Sequence, residues 1–244
     1  MNSDLVSAWV AQQAVALAAE PEDPFYLAAV DEWREAWRPE RVRILLVAES
    51  HVARMPGDEV VRVDAARYVA RPMPPLYVRL VYCLGYGESD ACSSPPRPNG
   101  GTWQYWDLFG QVARGLGELQ PRRTVSSAAA RIAWKVETLD ILRRRGIWLV
   151  DASVMALYAG GRRVATGSVY RRIVGESWRR FVWPDVAADR PELVWIIGHG
   201  VAGALAGDPV AARASVIDQP QSRDAERYRR GLATLVEECR RTSP

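Results

Sequence analysis

A chain of 244 residues with 48% hydrophobic and 25% charged residues can bury a substantial core and is not a disordered polyelectrolyte. Its formal net charge of +3 is small, although all but one of its 32 basic residues are arginine, the exception being Lys135. No apolar run is long enough to span a bilayer. Cys83, Cys92 and Cys239 are unevenly spaced and make neither a disulfide framework nor a four-thiolate metal site. An early acid at Asp4 and the lack of a basic n-region do not read as a signal peptide, so the expected compartment is the reducing cytoplasm.

In chain order, residues 3–19 are alanine-rich with apolar spacing and predict a helix, capped by Ser3 or Asp4 and broken by Pro21 and Pro24. Residues 24–37 predict a second helix with Phe25, Val30, Trp33 and Trp37 as its apolar contacts. Val42 to Val47 then form a short apolar run of the kind found in strands buried on both faces. Roughly 95 residues separate it from the next such run, too many for one crossover helix, so extra helices and loops are expected between them. Residues 52–66 and 87–101 read as loops around a short apolar segment at 76–84; residues 102–116 and 126–145 read as helices, the second closed by Gly146. A strand at 147–150 is followed by a predicted short helix at 153–159 and an amphipathic helix at 168–182. Strands at 193–197 and 214–217 alternate with a helix near Val201 and a last helix from about Asp224 to Cys239. Strands alternating with helices predict an α/β fold, a three-layer α/β/α sandwich around a parallel sheet of about four strands.

The common nucleotide-binding and hydrolase signatures are missing. There is no G-x-x-x-x-G-K-[ST], no G-x-S-x-G and no glycine fingerprint after the first strand; the glycines at Gly198, Gly200 and Gly203 follow the third. Two distant histidines do not suggest zinc. The chemistry-bearing residues collect instead at four strand tips: Glu49-Ser50-His51, Asp151-Ala152-Ser153, His199, and Asp218-Gln219-Pro220-Gln221-Ser222. Ligands in open α/β sheets bind beyond the carboxyl ends of the strands, and a hydroxyl, an imidazole and a carboxylate gathered there mark Glu49 above all as a candidate site residue. Arginine pairs and triplets recur at Arg122-Arg123, Arg143-Arg144-Arg145, Arg162-Arg163, Arg171-Arg172 and Arg179-Arg180; on one face they suit phosphate, and singly they are solvated surface.

In order and context these tips resemble the uracil-DNA glycosylase superfamily. Ala48-Glu49-Ser50-His51-Val52 stands where that family has Gly-Gln-Asp-Pro-Tyr or Gly-Glu-Ala-Pro-Gly. Gly146 to Asp151 has the shape of Gly-Val-Leu-Leu-Leu-Asn, Gly198 ends a third strand, and Gln219-Pro220-Gln221-Ser222-Arg223 stands where the family has His-Pro-Ser or Asn-Pro-Ser before a wedge and a helix. The resemblance covers residues 42–240 and implies strand order 2-1-3-4, with residues 1–40 a helical extension packed on a glycosylase-like domain at 41–244. It implies a monomeric hydrolase of base excision repair, free of metal and cofactor, acting on DNA with a flipped-out uracil or other deaminated base. A non-catalytic nucleic-acid or nucleotide binder of the same fold, or an unrelated small-molecule hydrolase, remain the alternatives.

Cleaving a base from deoxyribose develops positive charge on the sugar and negative charge on the base. Glu49 can balance the sugar or orient water, and Gln219 or His51 can donate to the departing base, with Ser50 beside them. Tyr68 or Trp103 would stack on the flipped base, unless both belong to the core. Asp151 and His199 would read the base, Asp151 standing where the family has asparagine, unless Asp151 caps the helix after it. Ser153, Ser222 and Arg223 would contact DNA, although both serines also suit local caps. An ionised aspartate only accepts hydrogen bonds. It meets uracil N3 but repels O4, so a base with an exocyclic amine is the better expected substrate.

Overall fold

The computed structural model describes residues 3–118 and 127–242, so Arg122, Arg123 and Ser126 lie outside the described residues. Helix α1 (Ser3–Ala16) and helix α2 (Pro24–Ala36) come first, and Asp23 caps α2 by accepting from the Phe25 amide at 2.8 Å. Strand β1 (Ile44–Ala48) follows, then helices α3 (Trp103–Gly115) and α4 (Ala128–Arg144), and strand β2 (Ile147–Asp151). A two-residue hairpin, β3 (Tyr158–Ala159) and β4 (Arg162–Arg163), leads to α5 (Gly167–Ser177) and the short α6 (Trp183–Val186). Strand β5 (Leu193–Ile197), helix α7 (His199–Ala204), strand β6 (Ser215–Ile217) and helix α8 (Ala225–Thr242) complete the chain.

The sheet runs β2-β1-β5-β6 and all its pairs are parallel. Numbered among the sheet strands alone, this is the order 2-1-3-4. Every residue of β1 and β2 is buried, so both faces of the sheet are covered by flanking helices, an arrangement compatible with three layers. Ala48 is paired with Asp151, Val47 with Ile196 and Ile197 with Ile217, so the tips of all four strands share one edge. The helices of residues 1–40 are part of the same core: Val6, Trp9, Trp33 and Trp37 pack in one cluster with the sheet. Among the described residues no helix is long and apolar enough to cross a membrane.

The long segment after β1 holds α3, α4, three short 3-10 turns and loops. It is tied down by a buried pair in which Arg79 Nε and Nη2 donate to Asp58 at 2.6 and 3.0 Å. Gly146 closes α4 with φ +71, where a Cβ would stand 2.9 Å from the Arg41 carbonyl.

Two predicted helices differ. No helix forms at 153–159: Tyr158 and Ala159 pair with Arg163 and Arg162 in the hairpin, and side chains from elsewhere hold the amides before them. Ser177 Oγ accepts from Val154, Glu22 Oε2 from Ala156 and Ser50 Oγ from Leu157, at 2.8, 2.7 and 3.1 Å. The helix predicted at 168–182 is α only to Ser177; it widens into a π turn at Trp178–Val182 and continues as α6. Pro184 has no amide proton for the ladder at that point, which accounts for the widened turn beside it.

Candidate functional site

The tip of β1 puts Glu49 under the hairpin. Backbone pairing continues past the strands, from the Ala152 amide to Ala48 O at 2.8 Å and from the Ser153 amide to Glu49 O at 3.0 Å, which holds the two tips side by side. Glu49 is 5% exposed, and its Oε1 accepts from Arg163 Nη2 at 2.9 Å. Arg163 comes from β4, just beyond the Gly160-Gly161 turn, where both glycines have positive φ. Its guanidinium also donates to the Tyr158 hydroxyl from Nε at 3.1 Å and Nη2 at 2.7 Å, and lies over the rings of Tyr158 and Tyr170. Burial first, then the neighbouring Glu49 carboxylate, push the Tyr170 phenol well above its ordinary pKa, so it stays neutral.

Next in the chain, His51 is 2% exposed and its Nε2 lies 2.8 Å from Glu22 Oε1. The carboxylate ties this residue to the loop after β2 as well, through the Ala156 amide. The other imidazole nitrogen, Nδ1, is buried without a hydrogen-bond partner. Ser50 Oγ donates to the His51 carbonyl at 2.9 Å and accepts from the Leu157 amide, so it is a structural link between two loops.

At the tip of β2, Asp151 is 4% exposed and its Oδ2 accepts from Arg34 Nη2 at 2.9 Å. Arg34 comes from α2 and is itself buried. Burial alone would lower the pKa of this guanidinium, but Asp151 and Asp31 together outweigh it and the net direction is up. Asp151 is therefore not a helix cap, since no helix follows it. Ser50, His51, Asp151, Thr102 and Tyr105 line one cavity of about 30 Å³, enough for about one water. Burial, followed by the charges of Asp151 and Glu49, raises the Tyr105 phenol far above its usual value.

The other two tips carry a more open cluster. His199 Nε2 and Arg227 Nε each lie 3.1 Å from the Asp218 carboxylate, and His199 and Arg227 are exposed. Gly198 has φ +99, and a Cβ there would stand 2.9 Å from Gln219 Cγ, so the position takes glycine on both counts and the Gln219 side chain packs on the end of β5. The Ser222 amide donates to Gln219 O and its hydroxyl accepts from the Asp224 amide, a local turn before α8; Arg223 is exposed. Tyr170 lies between the clusters: its hydroxyl would be 3.6 Å from a Cβ at Gly200, one residue after His199.

Three predicted site residues stand elsewhere. Ser153 is fully buried, with its Oγ bonded to the Met155 carbonyl and amide, and is closed off from any phosphate. Tyr68 is half-buried after a 3-10 turn and packs on the core, outside the cavity. Trp103 is not core but 71% exposed at the start of α3; Tyr105, two residues on, is the aromatic that reaches the cavity. Sequence reasoning missed Glu22, Arg34, Tyr105 and Tyr170, which no motif marks. Arg163 was visible only as half of a basic pair.

Among the described residues no group of three or more His, Cys, Asp or Glu side chains is arranged to hold a metal ion. No family model, no curated protein and no solved structure matches the chain.

Proposed function

We propose that the chain is a divergent DNA glycosylase of the uracil-DNA glycosylase superfamily, hydrolysing the N-glycosidic bond of a deaminated base flipped out of DNA. The observation that carries the reading is the pairing of Ala48 with Asp151, which puts a buried Glu49 and a buried Asp151 at the adjacent tips of the first two strands of a 2-1-3-4 parallel sheet, one residue out of register with each other. Glu49 has the charge to balance an electron-poor sugar, and Asp151 can accept from a base. Exposed Arg162, Arg223 and Arg227 lie on or beside the loops at this edge and suit phosphate contact, and the exposed Trp103 adjoins Thr102 of the cavity and offers a face for a base. Tyr105 replaces Tyr68 as the proposed stacking residue within the cavity.

One observation favours a second reading, a nucleic-acid binder without the reaction. Glu49 is engaged by Arg163, and the cavity has the volume of a water, far below that of a base. Under the first reading the walls of the cavity formed by residues 79–81 and by Thr102 and Tyr105 must move to admit the base. Single-turnover assays on oligonucleotides carrying uracil, hypoxanthine, xanthine or unmodified cytosine separate the readings. Base release supports the glycosylase, binding without release supports the binder, and the absence of both release and binding supports an unrelated small-molecule hydrolase.

A further inference from the structure

We infer that Glu22 and His51 form a buried dyad that holds a water in the cavity beside Asp151 and takes a proton from it as it attacks the sugar. The catalytic part of this inference rests on the glycosylase reading; the water-holding part stands on the geometry alone. Among the buried polar side-chain atoms without a hydrogen-bond partner are His51 Nδ1 and Thr102 Oγ1, and both residues line the same cavity of about 30 Å³. A cavity of that size with polar walls accommodates one water, and a buried polar group left unmade carries a penalty that such a water removes. Two independent orphans on one water-sized cavity therefore point to the same occupant.

The dyad defines the direction of proton transfer. Glu22 Oε1 lies 2.8 Å from Nε2, and a carboxylate only accepts, so Nε2 carries a proton toward Glu22; the proposed dyad keeps Nδ1 bare to accept from the water. The second oxygen of Glu22 is fixed by the Ala156 amide at 2.7 Å, so the carboxylate is held in place from the loop after β2. Glu49 is the alternative base, but its Oε1 is already bonded to Arg163 and it does not line the cavity. In the reaction, the water oxygen bonds to the anomeric carbon while the bond from that carbon to the base nitrogen breaks. The bonding pair leaves with the base, the water proton passes to His51 Nδ1, and the imidazolium that forms is stabilised by Glu22. The base anion gains its proton from solvent or from His51 on release, which restores the neutral imidazole. Water, base and sugar balance with no further reagent.

Nitrogen NMR of the histidine-labelled parent protein and a crystal structure at high resolution test the dyad without any variant. The expected result is a neutral His51 with bare Nδ1, protonated Nε2 and an ordered water within hydrogen-bond distance of Nδ1 and Thr102 Oγ1. A proton on Nδ1, whether the ring is neutral or charged, or a dry cavity, overturns the proposal. On any oligonucleotide the parent cleaves, His51→Gln and Glu22→Gln should slow single-turnover release, His51→Gln on the order of 100-fold, while oligonucleotide affinity stays within a few fold. Either variant releasing base at the parent rate also overturns it. If no oligonucleotide is cleaved while the tautomer and water are as described, the glycosylase reading fails and the water-holding dyad stands.

Discussion

Arg34 on α2 and Asp151 at the end of β2 form an ion pair of 2.9 Å, and both residues are less than 10% exposed. A helix that reads from sequence as an appendage thus sets the charge environment of the site. Removing one partner leaves a buried charge uncompensated, which costs about 3–5 kcal/mol. Arg34→Ala should therefore lower the urea midpoint strongly, whereas Arg34→Met with Asp151→Leu should recover most of the loss. A single Arg34→Ala protein as stable as the parent would mean that water reaches Asp151 freely.

Under the proposed glycosylase reading Asp151 also bears on base choice. As an acceptor already paired with Arg34, it offers uracil O4 no donor. The parent should release uracil slowly, and Asp151→Asn should release it faster in single turnover although the variant melts lower. Fast uracil release by the parent, unchanged in the variant, would show that the base is read elsewhere.

Glu49→Gln removes charge but little volume. Single-turnover base release should fall on the order of 100-fold with oligonucleotide affinity retained, because Arg163 then gains freedom to meet phosphate. Stopped assays with excess protein measure the rate, and anisotropy measures the affinity. Equal rates for Glu49→Gln and parent would remove Glu49 from the chemistry.

Exposed arginines at the site edge should set the salt dependence of DNA binding. Arg162→Ala and Arg223→Ala should each weaken binding to all sequences alike and reduce the slope of log affinity against log salt by about 1. Titrations across a range of salt concentrations check this; an unchanged slope in both variants would place the DNA on another face.

The thiols give a pH prediction. Burial pushes Cys83 from an ordinary 9.0 up to about 11, and Cys92 and Cys239 up to about 12. All three are free, so alkylation at neutral pH should be slow in the folded protein and fast in urea. Because the folded values are raised, the unfolded chain loses its thiol protons first as pH rises. The thiols' contribution to stability is full below about 9 and is lost progressively from there toward 11–12. Urea midpoints from pH 8 upward should fall in the parent and fall less in Cys83→Ala relative to its own value at pH 8.

Sequence by itself determined the sheet strands and their common edge. Val42 to Val47, Ile147 to Val150 and Leu193 to Ile197 are apolar runs too short for helices and too continuous for half-exposed strands, so burial on both faces was legible from local pattern alone. The same pattern located Glu49, His51 and Asp151 at strand ends, because a parallel strand buried on both faces turns polar where its cover stops. Tertiary structure alone decided what those residues do. Glu22, Arg34 and Arg163 reach the tips from segments 29, 117 and 114 residues away in the chain. Long-range bonds from Glu22, Ser50 and Ser177 to the amides of 154–157, with the hairpin pairing of Tyr158 and Ala159, stand in place of a locally plausible helix. A residue's partner across such distances depends on how whole elements pack, and no spacing rule in a single sequence carries that information.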